Sequence, residues 1–297
     1  MKLDRLHPAV LAILGIGVLS VMDALIKHVG ARYPTAQLVF LRFSLGFLVA
    51  SAIWLIQSPS KPTREAVKAN ILRGFIGLAT ATSFFYALQT LPLAETIAFS
   101  FLSPLFLAAF GVLLLGEKLA KGVLLGLAVG FGGMVVMVLG QRSFGTTALP
   151  ISGVLAAIGS TVTYALSLTL LRQRAQQDAL IIIVAFQHVV PAVVMAIPAA
   201  LVWVTLSAAD LAIYAVMAVL GVLGHLLMGM AFRRAEASRL AITEYSALLY
   251  ATVLGFLFFD EIPGIATFAG TVLIVIGTLL AMRERAKPDE PPIDPAP

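Results

Sequence analysis

Gln141-Arg142-Ser143-Phe144-Gly145-Thr146-Thr147-Ala148-Leu149-Pro150 is a short polar joint between two long apolar runs. Outward from it, the sequence repeats. A single constant shift lays Gly15 on Gly159, Gly77 on Gly221, Gly111 on Gly255, Glu117 on Glu261, Gly126 on Gly270 and Gly133 on Gly277. The same shift superposes the ends of five apolar spans on either side of the joint. Five is odd, so the second copy of the unit crosses its surroundings in the opposite sense to the first. Inverted repeats of this kind are the usual build of alternating-access carriers.

The surroundings follow from composition. The chain has 297 residues, 60% of them hydrophobic and 12% charged, with a mean hydropathy of +1.00. A water-soluble chain of this length cannot hide that much apolar surface. Runs of about 20 apolar residues match about 30 Å of hydrocarbon. They fall at 9–29, 35–57, 69–90, 93–115, 122–140, 150–171, 180–204, 211–232, 238–259 and 264–282. Each is expected to be a helix, because lipid offers no partner to open backbone groups. The predicted fold is an all-α integral membrane protein: ten transmembrane helices in two inverted five-helix repeats around a central cavity. The expected segments are a cytoplasmic N-terminus (1–8), the first repeat (9–140), a periplasmic linker (141–149), the second repeat (150–282) and a disordered cytoplasmic tail (283–297). That tail is rich in proline and acidic residues.

The net charge of +5 invites a nucleic-acid partner, but its distribution excludes one. Lys2, Arg5, Lys61, Arg64, Lys68, Lys118, Lys121, Arg172, Arg174, Arg233, Arg234, Arg239, Arg283, Arg285 and Lys287 fall in alternate loops or the termini. The intervening loops hold only Lys27, Arg32 and Arg142. This is the positive-inside pattern, and it places both termini in the cytoplasm of a multi-pass protein of the bacterial inner membrane. The chain has no cysteine, which excludes disulfides, thiol catalysis and cysteine metal sites.

Phe84-Phe85-Tyr86-Ala87-Leu88 runs into Leu91-Pro92-Leu93-Ala94-Glu95, followed by Ser103-Pro104-Leu105-Phe106, Leu115-Gly116-Glu117-Lys118-Leu119 and a glycine-rich span from Gly126 to Gly140. Arg42-Phe43 precedes them. Ala237-Ser238, Ala241 and Phe259-Asp260-Glu261 echo them in the second half. Together these resemble the drug/metabolite transporter superfamily in its ten-helix EamA branch, and within it the amino-acid and metabolite exporters of the YddG type. The first span lacks the Trp-Gly pair found in many members. The resemblance implies ten helices, a cavity between the halves and no ATP-binding domain.

Ionisable groups at membrane depth are costly, about 2.5–3.5 kcal/mol each on insertion scales, so they face protein or a cavity. Counting from the cytoplasmic cations puts Tyr164, His188, His225 and Glu244 about 7–14 Å inside one face. Asp23, Arg42, Tyr86 and Ser100 count nearer the other face. The expectation is two polar layers flanking a midplane site. Asp23, Arg42, His188, His225 and Glu244 are the candidates for coupling or gating. Asp23 and Lys27, spaced i,i+4, have the alternative of neutralising each other, and Asp23 and Arg42 that of a structural pair. Glu244 with His225 is the minimum equipment of a proton relay. Candidates for substrate binding are Ser83, Tyr86, Phe99, Ser103, Tyr164, His225, Tyr245 and Tyr250. The aromatic rings suit an apolar substrate moiety. The hydroxyls suit its amino or carboxylate group, unless they bond their own helix. Pro104, Pro191 and Pro198 are expected to bend their helices. Glu117 and Glu261 are expected at the N-termini of the fifth and tenth helices. The glycine faces of those helices suit a neighbouring span or a dimer partner.

Walker, HExxH and GxSxG motifs are absent, and no metal cluster is evident. The reading is therefore a secondary transporter and no enzyme, without cofactor or metal, as monomer or homodimer. It is expected to move a small metabolite by alternating access, an amino acid in the export direction. Alternatives are export or import of another metabolite or drug and, in a different class, an intramembrane enzyme.

Overall fold

The computed structural model describes residues 6–58, 61–103, 106, 110, 121–143, 149–174, 178–234, 243 and 246–285. Among these are ten helices and no strand. They are α1 (Pro8–Gly30), α2 (Thr35–Gln57), α3 (Arg64–Thr90), α4 (Leu93–Ser100), α5 (Lys121–Ser143), α6 (Ile151–Arg174), α7 (Leu180–Leu201), α8 (Ala208–Arg234), α9 (Ser246–Phe259) and α10 (Ile265–Arg285). Five of them, α1, α2, α3, α7 and α8, are long and apolar enough to cross a membrane over their described length.

Local chemistry sets several boundaries. α3 starts earlier than its apolar run, at Arg64, because Thr63 Oγ1 accepts from the Ala66 N–H at 3.1 Å and caps the first turn. α8 likewise starts at Ala208 behind Ser207, whose Oγ accepts from the Asp210 N–H at 3.0 Å. α4 ends at Ser100, inside the expected span 93–115. The Phe101 and Leu102 N–H groups bond back only three residues, to Ala98 and Phe99. α7 shows the reverse outcome: it continues through both Pro191 and Pro198.

Packing follows the repeat. α1 lies against α8 and α3 against α6. α2 lies against α7 and α5 against α10, while α1 meets α9 and α4 meets α6. Exchanging each helix for its counterpart in the other half maps this set of pairs onto itself. The α5–α10 crossing makes the symmetry visible at atomic scale. A Cβ on Gly133 would stand 2.6 Å from the Gly270 carbonyl oxygen, and one on Gly277 would stand 2.5 Å from that of Gly126. Gly126/Gly270 and Gly133/Gly277 are the repeat-related pairs, so the contact is nearly its own image. The glycine faces are thus spent on each other within one chain.

The turns after α1, α3, α7 and α9, and the start of α6, gather at one end of the bundle. There Gln37 of α2 forms a two-way pair with the Val204 backbone, at 2.7 and 2.8 Å. The Tyr86 hydroxyl meets Ser152 Oγ at 3.3 Å.

Candidate substrate and gating sites

Two polar assemblies join the halves, one in mid-bundle and one at the end holding the α1–α2 turn. The first is centred on Arg42, which is 1% exposed. Its Nη1 lies 3.0 Å from His188 Nε2 and its Nη2 lies 3.6 Å from the Met22 sulfur. Its guanidinium stacks over the Phe43 ring, 4.1 Å from the centroid. His188 Nδ1 is 2.7 Å from the Val184 carbonyl. A carbonyl only accepts, so Nδ1 carries the proton and Nε2 receives the hydrogen bond from Arg42. The His225 ring stands edge-on to His188 with centroids 6.3 Å apart. Its Nδ1 donates to the Gly221 carbonyl at 2.6 Å. Two glycines make room: a Cβ on Gly46 would collide with the His188 ring, and one on Gly221 would stand 2.5 Å from Arg42 Nη2. Asp23 is also buried, without a hydrogen bond or ion pair to Arg42.

This corrects the picture of two separate layers. Arg42 counts to one face, His188 and His225 to the other, yet their side chains touch. Depth counting locates Cα atoms, whereas a long arginine stem carries its charge well away from its own turn.

The second assembly is at the bundle end. Lys27 Nζ donates to the Leu88 carbonyl at 3.1 Å and to that of Leu91, which close α3. It also pairs with Glu261 Oε1 at 3.1 Å. Glu261 Oε2 accepts from the Leu93 N–H at 2.7 Å, at the start of α4. Asp260, with φ 54°, turns the chain so that the Glu261 N–H bonds back to the Gly255 carbonyl at 3.1 Å. The expected roles differ on two counts. Lys27 leaves Asp23 for Glu261, and Glu261 serves the N-terminus of α4 rather than that of α10. Nearby, Arg32 and Tyr33 both bond Asp210, with Tyr33 Oη 2.7 Å from Oδ2. The hydrogen bond to that carboxylate raises the Tyr33 pKa above its usual value. Glu95 of α4 accepts from Thr267 of α10 at 2.7 Å. A pocket of about 100 Å³ beside Pro92, Glu95, Gly255 and Glu261 is well below the roughly 300–1,000 Å³ of ligand sites.

The other candidates are scattered. Phe99 is fully buried and Ser103 nearly so. Tyr86 and Tyr164 are exposed, at 38% and 36%. Ser83 is half-buried on α3. Tyr250 packs its ring against Gly17 of α1. Ser100 and Thr161 bond their own helix carbonyls, at 3.5 and 2.8 Å. Glu244, Tyr245, Glu117 and Pro104 lie outside the described residues.

The profile of the EamA-like transporter family matches residues 7–139 and again residues 151–283. The two matches are related by the shift that pairs Gly15 with Gly159. The chain belongs to the EamA-like transporter family. It is a multi-pass membrane transporter for small molecules, not an enzyme. Among its relatives, the pseudopaline exporter CntI of Pseudomonas aeruginosa is 29% identical over 96% of this chain and 99% of its own. The S-adenosylmethionine uptake transporter of Rickettsia bellii is 27% identical over 90% of both. A solved crystal structure superposes with a TM-score of 0.63 at 22% identity, covering 94% of this chain and 98% of that one; the likeness is one of fold.

Proposed function

We propose that this chain is a secondary carrier of the bacterial inner membrane that exports amino acids or related amphipathic metabolites by alternating access. In this reading ten helices span the membrane as two inverted five-helix repeats, 9–140 and 150–282, and both termini are cytoplasmic. The observation that carries it is the division of polar contacts. Lys27–Glu261, Arg32–Asp210 and Gln37–Val204 tie the halves at one end, while the Arg42–His188 contact joins them in mid-bundle. The tied end has few cations in its loops, so the positive-inside rule makes it the periplasmic side. Its ties are the gate that must part when the carrier faces outward, and the mid-bundle cluster is the region both states reach.

Inversion has independent support. α1 ends where α6 begins, so repeat counterparts run in opposite senses. The exporter relative over 96% of the chain favours export. S-adenosylmethionine, in the name of the other relative, is an amino-acid derivative. A single chain supplies both halves of the crossing between α5 and α10, so that crossing needs no dimer partner, and the unit is a monomer or a homodimer joined elsewhere. Phe99, Ser103, Ser83, Tyr86, Tyr164 and Tyr250, scattered in this state, are assigned to the walls of the route that opens when the halves part. Asp23, Arg42, His188 and His225 couple or gate.

Counterflow in proteoliposomes loaded with amino acids, nucleosides or sugars tests the proposal. Exchange restricted to amino acids and their derivatives is expected. Exchange of none, or a conductance that never saturates, rejects it.

A further inference from the structure

The end of the bundle opposite the ties is where α3 and α7 begin. There one amide stands between two opposite charges. Asn70 Nδ2 donates to Asp178 Oδ2 at 3.0 Å, just ahead of α7, and to the Ala66 carbonyl at 2.9 Å. Asn70 Oδ1 accepts from Arg73 Nη1 at 3.3 Å. Asn70 is 1% exposed and Arg73 8%, and the Arg73 Nε has no hydrogen-bond partner among the described residues. Arg73 thus reaches Asp178 only through Asn70. The ion pairs among the described residues are Lys27–Glu261 and Arg32–Asp210, both at the tied end. A Cβ on Gly74 would stand 2.6 Å from that of Val190, so α3 and α7 already touch next to Arg73.

The repeat maps this corner onto the tied one. α3 is the counterpart of α8 and α7 that of α2; the shift lays Asn70 on Tyr214 and Asp178 on Pro34. At the tied end α8 supplies the carboxylate of Asp210, and the turn before α2 supplies the cation of Arg32. Tyr33 bonds the same carboxylate and stands edge-on to Tyr214, with ring centroids 6.0 Å apart. At the opposite end the polarity is reversed: the helix supplies the cation and the segment before α7 supplies the carboxylate. One pair is made and the other is held one amide apart. A buried guanidinium is expensive while no carboxylate meets its fork directly. In a carrier built of inverted repeats, a contact made at one end is exchanged for its counterpart at the other. We infer that Arg73 and Asp178 are the cytoplasmic latch of the transporter, closing as a direct ion pair when the tied end parts, with Asn70 the spacer that holds them apart in this structure. The inference rests on the carrier reading and adds to it the residues that hold its other state. The contact of Gly74 with Val190 is the fulcrum about which the ends of α3 and α7 swing together.

Cysteine labelling of the full chain in membranes tests the latch, because the chain has no cysteine of its own. Ser100→Cys reports, through a membrane-impermeant maleimide added outside, how often the tied end opens. Asp178→Asn keeps an acceptor for Asn70 but removes the charge. It is expected to deprive the outward-open state of its latch and to slow labelling by about threefold or more. Arg73→Gln is expected to do the same, and the two together to slow it no further, since both remove one pair. Asn70→Ala removes the spacer and is expected to quicken labelling. Asp178→Asn reacting at or above the wild-type rate overturns the inference, whether or not the other variants fold. Additive losses in the double variant, or a folded Asn70→Ala that reacts no faster, overturn it as well. Vesicle exchange by the wild-type protein keeps the two readings apart. Exchange together with an unmoved Asp178→Asn sinks the latch and spares the carrier. Exchange of no solute at all sinks the carrier reading itself.

Discussion

At the scale of single residues, the centre of the molecule is arranged by what is missing as much as by what is present. Gly46 and Gly221 leave the volume that His188 and Arg42 occupy. Gly46→Ala is expected to drive a methyl group into a ring held on both nitrogens, costing about 1–3 kcal/mol as overpacking does. A melting temperature equal to wild type would show that the ring has room to move. At the bundle end, the raised pKa of Tyr33 fixes a sign. A phenol whose folded pKa exceeds its unfolded value stabilises fully below the unfolded pKa, about 10, and loses that contribution as pH rises through the folded one. The Tyr33–Asp210 bond is therefore expected to hold at neutral pH and weaken only in strong alkali. Tyr33→Phe is expected to lower thermal stability at pH 7 and flatten the alkaline limb of the stability curve. The sequence named Asp23, Arg42, His188 and His225 from the cost of charge in lipid. It paired Asp23 with Arg42 but did not bring the histidines to them, because apparent depth says nothing about where a long side chain ends. Lys27 was legible only as a partner of Asp23, four residues away. No spacing rule reaches Glu261, on a loop of the other half, or the carbonyls that α3 leaves open at its end.

At the scale of elements, the repeat and most helices could be read directly, because an apolar run of hydrocarbon length has one conformation open to it. Boundaries moved where capping chemistry reached beyond the apolar run, as Thr63 and Ser207 do. α4 stopped short because apolar content does not announce the turn at Phe101 and Leu102. The crossing of α5 and α10 was half visible: the glycines announced a close approach, but their spacing fits a sister molecule as well as a sister helix. With Gly133 against Gly270 and Gly277 against Gly126, Gly133→Val is expected to push the two helices apart and destabilise by about 1–3 kcal/mol. Gly277→Val should match it, as the repeat-related site. Unequal losses in the two variants, measured by thermal unfolding in detergent, would mean that the crossing is not symmetric in energy.

At the scale of the whole molecule, the ties at the bundle end set, on the carrier reading proposed above, the side on which the transporter is shut. Lys27 and Glu261 are each partly buried, 14% and 18% exposed, so cutting one of them leaves the other's charge unpaired and weakens the tie. Lys27→Met is expected to favour the outward-open state. A cysteine in place of Ser100 should then react faster with a membrane-impermeant reagent added outside. An unchanged labelling rate would remove Lys27 from the gate. The interleaved packing has a further consequence, for how the chain is made. α1 needs α8, and α3 needs α6, so neither half covers its own inner surface. During synthesis the first five helices enter the bilayer before the helices that complete them exist. They must wait there with arginine and aspartate uncovered, as clients for insertion and quality-control machinery. By the same logic the joint at 144–148 is dispensable as a covalent link. Two fragments broken there and made together should assemble into one transporter, while either alone is degraded.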